Sequence, residues 1–244
     1  MNINCAVDKS KYKKDRVILH SDCNGFYASV ECLHHPEIRN KPVAVSGDAE
    51  NRHGIILAKN EIAKKYNAKQ KCPDLITVPP HFDLYKRFSK MARRIYSEYT
   101  DKIEPFGLDE AWLDVTDNKN MSGKEIALEI NRRIKQELGI TVSIGVSFNK
   151  IFAKFGSDYK KPDAITEITR ENYRDIVWNC PAKDLLYVGR ATGRKLESIG
   201  IYTIGDIATA DVTLLRSYLG KWGDLIYGFA NGYVNGLAEG LKNG

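Results

Sequence analysis

Residues 105 to 115 read PFGLDEAWLDV, and no other stretch limits the fold as tightly. Ala111, Trp112, Leu113 and Val115 ask for a buried strand, while Asp109 and Glu110 put two adjacent charges at its start. A carboxylate is costly to bury without a partner, so the fold must bring cations or water to that point. Successive side chains of a regular strand point to opposite faces. Both acids can therefore serve one site only if the turn at Pro105 to Gly107 distorts the pair inward.

The rest of the chain supplies a frame for such a site. Of 244 residues, 43% are hydrophobic and 28% charged, as expected of one large or two small globular domains. The formal net charge of +6 favours an anionic partner such as nucleic acid. Five cysteines at scattered spacings form no C-x-x-C pair, which argues against a zinc site or a disulfide framework and suits a reducing cytosol. The polar N-terminus MNINCAVDKSKYKKDR and the absence of a long apolar run predict a cytoplasmic protein with no membrane partner.

Along the chain, RVILHSD (16 to 22) predicts a strand, GFYASVECLHH a helix with Phe26, Val30 and Leu33 on one face, and KPVAVSGD (41 to 48) a second strand, together a β-α-β opening. LYKRFSKMARRIYSEYT (84 to 100) predicts an amphipathic helix resting on Leu84, Phe88, Met91 or Ala92, and Ile95. Two strands joined by a tight turn fit KIEPFGLDEAWLDV; a helix from about Gly123 to Leu138 and a final strand ITVSIGVS follow. The expected fold class is α+β, with helices on one face of a mostly antiparallel sheet and an order close to the split β-α-β plan. Beyond about residue 166 short helices with glycine turns predict a small helical domain, and Gly232, Gly236, Gly240 and Gly244 predict a flexible tail over 232–244.

Asp22 ends the first predicted strand, where mixed sheets commonly carry their chemistry. If it meets Asp109 and Glu110, three like charges raise one another's pKa unless cations neutralise them. Mg²⁺ is suited to carboxylates plus substrate phosphates, and two ions about 4 Å apart would serve a phosphoryl transfer. The alternative is that one or more of these acids is simply solvated at a hairpin end.

HSDCNGFYASVE (20 to 31) and KIEPFGLDEAWLDVT (102 to 116) resemble the two signature motifs of Y-family translesion DNA polymerases. The similarity continues through GIILAKN, SIGVSFNKIFAKFGSDYKKPD (143 to 163) and VGRATGRKL, and spans roughly residues 16 to 232. The resemblance implies an N-terminal extension over 1–15, a ferredoxin-like palm (16–53 and 84–166), small fingers (54–83) and an all-α thumb (167–231) with a helix-hairpin-helix. It makes Asp22, Asp109 and Glu110 the catalytic carboxylates and, with the backbone carbonyl of Cys23, the ligands of two Mg²⁺ ions. Tyr27 matches the aromatic steric gate beneath the incoming sugar, with Phe26 beside it, while Lys161 and Lys64 match nucleotide-binding lysines. Gly189, Arg190 and Gly193 are implied to hold a DNA phosphate. Primer-template DNA and deoxynucleoside triphosphates are the implied partners, with a sliding clamp as the family's usual recruiter in a full-length form.

Departures from the family pattern bear on activity. Gly107-Leu108 and Asn24 replace commoner residues off the metal ligands; Glu61 and Lys64 stand where a Tyr and an Arg usually contact the triphosphate. About nine residues of the fingers are expected to be missing near Asn67 and Ala68, judged by loop-length expectations. A little-finger domain of roughly 100 residues is not recognisable after Gly232. The resulting expectation is an error-prone, template-directed polymerase core for translesion synthesis and DNA repair. Its alternatives are a catalytically impaired DNA-binding fragment of such an enzyme, and another palm-type nucleotidyl enzyme such as a cyclase.

Overall fold

The computed structural model describes residues 15–47, 55–66, 72 and 74–233. The predicted N-terminal extension, the tail from residue 234 and the site of the expected fingers gap lie outside the described residues.

The main sheet has five strands. Its centre is β1 (Ile18–Cys23), buried along its whole length. β1 is flanked by the later strands β6 (Glu110–Asp114) and β7 (Val142–Ser147), both antiparallel to it. β5 (Ile103–Pro105) pairs with β6 at one edge, and β8 (Ile165–Ile168) runs parallel to β7 at the other. The order β5-β6-β1-β7-β8 contains the split β-α-β arrangement, with β8 added at the edge. Three strands drawn from earlier in the chain, β2 (Val43–Ser46), β3 (Ile56–Lys59) and β4 (Ile76–Val78), make a separate sheet in the order β3-β2-β4.

Two expectations change here. β2 belongs to the small sheet, so the β1-helix-β2 opening does not form a unit within one sheet. Helix propensity and alternation cannot reveal which sheet a four-residue apolar strand joins. Helices also cover both faces of the main sheet instead of one. On one face lie α1 (Phe26–His34), α3 (Phe82–Ser97) and α4 (Gly123–Arg133), packed against Leu19, Leu113 and Ile144. The short α2 (Glu61–Lys64) follows β3. On the other face α5 (Lys150–Tyr159) presses Ala153 against Ile18 and Trp112.

The sequence explains these contacts locally. α3 buries Tyr85, Phe88, Ala92, Ile95 and Tyr96 and leaves Met91 exposed, which resolves the choice between Met91 and Ala92. α4 begins with a reciprocal capping box between Ser122 and Glu125. Its last turn widens over Ile134–Leu138 before Gly139 ends it in the left-handed region. Four further helices, α6 (Arg190–Glu197), α7 (Ile204–Thr209), α8 (Val212–Leu219) and α9 (Lys221–Ala230), share a second core with Phe152 and Phe155 of α5.

The depth at which α5 sits depends on Gly145 in β7 and Gly156 in α5. A Cβ built on Gly145 would come 1.9 Å from the carbonyl oxygen of Ala153 and 2.6 Å from the Ser157 nitrogen. Both are backbone atoms, so relief requires lifting the helix. Gly145→Ala is expected to cost about 1–3 kcal/mol as an overpacked contact, seen as a lower denaturation midpoint in urea; an unchanged midpoint would show that α5 is not held this closely.

Candidate active site

All the acids singled out in the sequence lie at one end of the main sheet. Asp22 and Glu110 are directly paired on β1 and β6, so their side chains share a face, the one that α5 covers. Just beyond them the Cys23 amide donates to the Asp109 carbonyl at 3.0 Å. Gly107 turns the hairpin at φ +92°, and Arg93 donates to its carbonyl at 2.8 Å. The paired ladder ends at Asp22 and Glu110, and the backbone bends over Gly107, Leu108 and Asp109 just before it. Glu110 shares its face with Asp22, and the Asp109 carboxyl lies near enough to both for their charges to act on it.

Cations from α5 and the loop after it meet this end. The Lys154 ammonium lies 3.1 Å from Asp22, 2.8 Å from Glu110 and 3.1 Å from Asp158. Lys161 reaches Asp22 at 2.5 Å and Asp158 at 2.7 Å. Lys154 and Asp158 are one helical turn apart on α5, and Lys161, just past the end of the helix, folds back to Asp158 and Asp22. Lys154 was not singled out in the sequence, although its spacing from Asp158 and Lys161 is the signal that could have found it.

Beneath this network His20 is fully buried, its Nδ1 2.8 Å from Ser157 Oγ. The Ser157 hydroxyl donates to the Lys154 carbonyl, which leaves Nδ1 to donate to Ser157. His20 Nε2 then faces Glu110 Oε2 at 3.2 Å without hydrogen-bond alignment and is buried with no hydrogen-bond partner among the described residues, whereas Glu110 Oε2 is held at 2.8 Å by the Lys154 ammonium. Burial holds the imidazole below its usual pKa.

The charges respond accordingly. Burial pushes the Asp109 carboxyl up to about 6, and the neighbouring Asp22 and Glu110 add to that rise. Glu110 is also raised by burial, but His20 and Lys154 outweigh this and bring it to about 2. Burial lowers the Lys154 pKa, yet Asp22, Asp158 and Glu110 together hold it above the usual lysine value. Cys23 is buried and its thiol is pushed up by burial first, so only its backbone is suited to a cation.

Tyr27 borders the site from α1. Its ring stacks on Tyr85 at 4.4 Å and 26°, meets Phe82 edge-on at 6.1 Å and lies 5.6 Å from Phe26. Its hydroxyl is raised in pKa by burial and by the charge of Asp109. Phe26 itself is core, 2% exposed. The other expected residues stand elsewhere: Lys64 on α2 pairs with Glu61 at 2.6 Å, and Gly189, Arg190 and buried Gly193 form the start of α6.

Among the described residues no group of three His, Cys, Asp or Glu side chains is arranged to hold a metal ion, and the Lys154 ammonium bridges Asp22 and Glu110. The donor chemistry nevertheless fits a hard cation. Asp22 and Glu110 are both paired with Lys154, Asp22 also with Lys161, and the Asp109 carboxyl lies beside them with its pKa raised by burial first and by their charges second, so oxygen donors converge at this end of the sheet.

Two outcomes follow. Lys154→Ala should lower unfolding stability by about 3 kcal/mol, the lower end for stripping the partner from buried charge; a loss under about 1 kcal/mol in chemical denaturation would mean the pair is solvated. Asp109 titrates near 6 folded but near 3.8 unfolded, so the folded state holds the extra proton between these values and stability falls as pH rises across that window. In metal-free buffer Asp109→Asn should abolish this fall; an identical pH profile for the two proteins would contradict the burial of Asp109.

The impB/mucB/samB family model matches residues 21–158. DNA polymerase IV of Acetivibrio thermocellus is 55% identical over 229 residues, 89% of this chain and 57% of that protein. DNA polymerase IV 1 of Bacillus subtilis is 41% identical over 229 residues, 90% of this chain and 55% of that protein. The chain thus spans a little over half the length of these relatives. DinB from Sulfolobus solfataricus superposes with a TM-score of 0.80 at 28% identity, covering 90% of this chain and 68% of that one. A Y-family DNA polymerase chimera of Dbh and Dpo4 superposes at 0.81 with 27% identity over the same shares. Motifs, sheet order and the family match agree: the chain belongs to the impB/mucB/samB family and has the mixed α+β fold of Y-family polymerase cores.

Proposed function

We propose that the chain is the core of a template-directed, error-prone DNA polymerase that adds deoxynucleotides to a primer 3′-hydroxyl during translesion synthesis and DNA repair. The observation that carries this reading is the meeting of Asp22, Asp109, Glu110, Tyr27 and Lys161 at one end of the main sheet. The relatives named DNA polymerase IV support it, as does the likeness to an insertion ternary complex of Dbh DNA polymerase, 26% identical with a TM-score of 0.81.

In this reading the main sheet is the palm, the small sheet with α2 the fingers, and α6 to α9 the thumb. Asp22, Asp109 and Glu110, with the Cys23 carbonyl, would hold two Mg²⁺ ions. When bound, those ions supply Lewis-acid activation of the primer hydroxyl and neutralise charge on the leaving pyrophosphate. The chain's own side chains do the rest. Lys161 neutralises triphosphate oxygens as a point charge. Tyr27 lies under the sugar and leaves no room for a 2′-hydroxyl. Lys154 holds Glu110 ionised and in place, with the His20 ring packed beneath it. Gly189, Arg190 and Gly193 at the start of α6 take a primer or template phosphate, where helix amides point outward. Positioning and charge neutralisation do most of the catalysis.

One observation favours the impaired DNA-binding fragment as a second reading: Lys64, the expected fingers cation, is engaged by Glu61. Extension of a labelled primer at low salt with Mg²⁺ and four deoxynucleotides separates the two. The expected outcome is template-dependent addition that is abolished in Asp109→Ala, Glu110→Ala. Binding of primer-template by folded protein with no addition would establish the second reading instead.

A further inference from the structure

One charged group inside the fold takes no part in the network described above. Glu31, on α1, is 0% exposed. Its Oε1 accepts from the Tyr85 hydroxyl and from His81 Nδ1 at 2.9 Å, while its Oε2 has no hydrogen-bond partner among the described residues. Burying a carboxylate with an oxygen unpaired is costly, and an apolar residue would pack there at lower cost. The group must therefore return something other than stability.

What it holds is the ring behind Tyr27. Tyr85 is 0% exposed, fixed at one end by α3 and at the other by Glu31. Its face lies 4.4 Å from the Tyr27 ring at an interplanar angle of 26°. His81 caps the start of α3 and accepts the Tyr85 amide through its carbonyl, so the two donors to Glu31 are themselves one rigid turn. Tyr27 thus backs onto a fully buried ring whose hydroxyl is anchored. Phe82, 46% exposed, closes the edge. A wall excludes a single extra hydroxyl only if it does not yield, and the extra atom is no larger than the displacement an unsupported ring makes.

We propose that Glu31 and Tyr85 are positioning residues that brace Tyr27 and so set how strictly the site distinguishes deoxyribose from ribose. This rests on the reading of Tyr27 as the surface beneath the incoming sugar. Neither residue touches the substrate; both act through the Tyr27 ring.

The test is the ratio of kcat/KM for a deoxynucleotide to that for the matching ribonucleotide, measured on the same protein sample in single-nucleotide primer extension. Any unfolded fraction cancels in that ratio, so loss of stability alone cannot move it. Tyr85→Leu, which removes the stacked ring, should lower the preference for deoxyribose roughly five- to tenfold, the worth of one aromatic pair. Tyr85→Phe and Glu31→Gln keep the ring but loosen its anchor, and should lower it by about two- to threefold. The change should come from a rise in relative ribonucleotide use. Tyr27→Ala serves as the reference for a wall removed altogether. A ratio unchanged in Tyr85→Leu and Tyr85→Phe while Tyr27→Ala collapses it overturns the bracing role alone. A ratio that Tyr27→Ala leaves intact overturns the inference together with the assignment of Tyr27, and a wild-type protein that incorporates neither nucleotide removes the polymerase reading itself.

Discussion

The structure turns on one ammonium between two carboxylates. Asp22 and Glu110 occupy the same rung of neighbouring strands, so the sheet forces their charges together whatever the rest of the chain does. Lys154 answers both from the opposite layer, and it reaches them because Gly145 and Gly156 let α5 lie almost on the backbone of β7. A small residue in the core thereby determines an electrostatic arrangement several residues away. Without that close approach the two acids would be left with Lys161 and solvent, and a strand buried on both faces would end in unpaired charge.

Under the proposed function, the same arrangement lets the acids persist without a bound phosphate. Lysine side chains are long and flexible, strongly hydrated when released, and can withdraw without disturbing the backbone. Carboxylates on β-strands cannot. The fold therefore fixes the acids and leaves the counter-charge exchangeable, a division of labour that suits the proposed exchange of anionic ligands.

Much of this was legible in the sequence. Alternation around Leu113 and the apolar run at Ile18 predict the central strands, and PFGLDEAWLDV alone locates the charged end of the sheet. α3 was legible from its 3.6-residue period, within two or three residues at each end. What was not legible depends on distance in sequence. KPVAVSGD has the composition of a palm strand, and only pairing with Ile56–Lys59 and Ile76–Val78 assigns it to the second sheet. Ile165–Ile168 is four residues long and finds its partner in β7. At the site, strand periodicity flagged that Asp109 and Glu110 need a distorted turn to act together, and the chain bends over Gly107 to Asp109, with Asp109 under the influence of Asp22 and Lys161. His20, Lys154 and Glu31 escaped notice because a lone histidine, a helical lysine and a helical glutamate are ordinary until the layers that bury them are known.

The position of β1 has a consequence for how the chain reaches this state. Ile18 pairs with Asp114 on one side and with Ser147 on the other, so the central strand has no neighbour drawn from nearby sequence. During synthesis it emerges early and stays an unpaired, apolar edge on both sides until strands about a hundred residues later follow it out, several seconds at ordinary elongation rates. Such long-range closure slows folding and exposes a sticky segment in the meantime. The small sheet and α2, which are assembled from contiguous chain, can form during that interval, whereas Asp22 and Glu110 come together when β6 pairs with β1, and the Lys154 that answers them follows only after β7 has closed the other side.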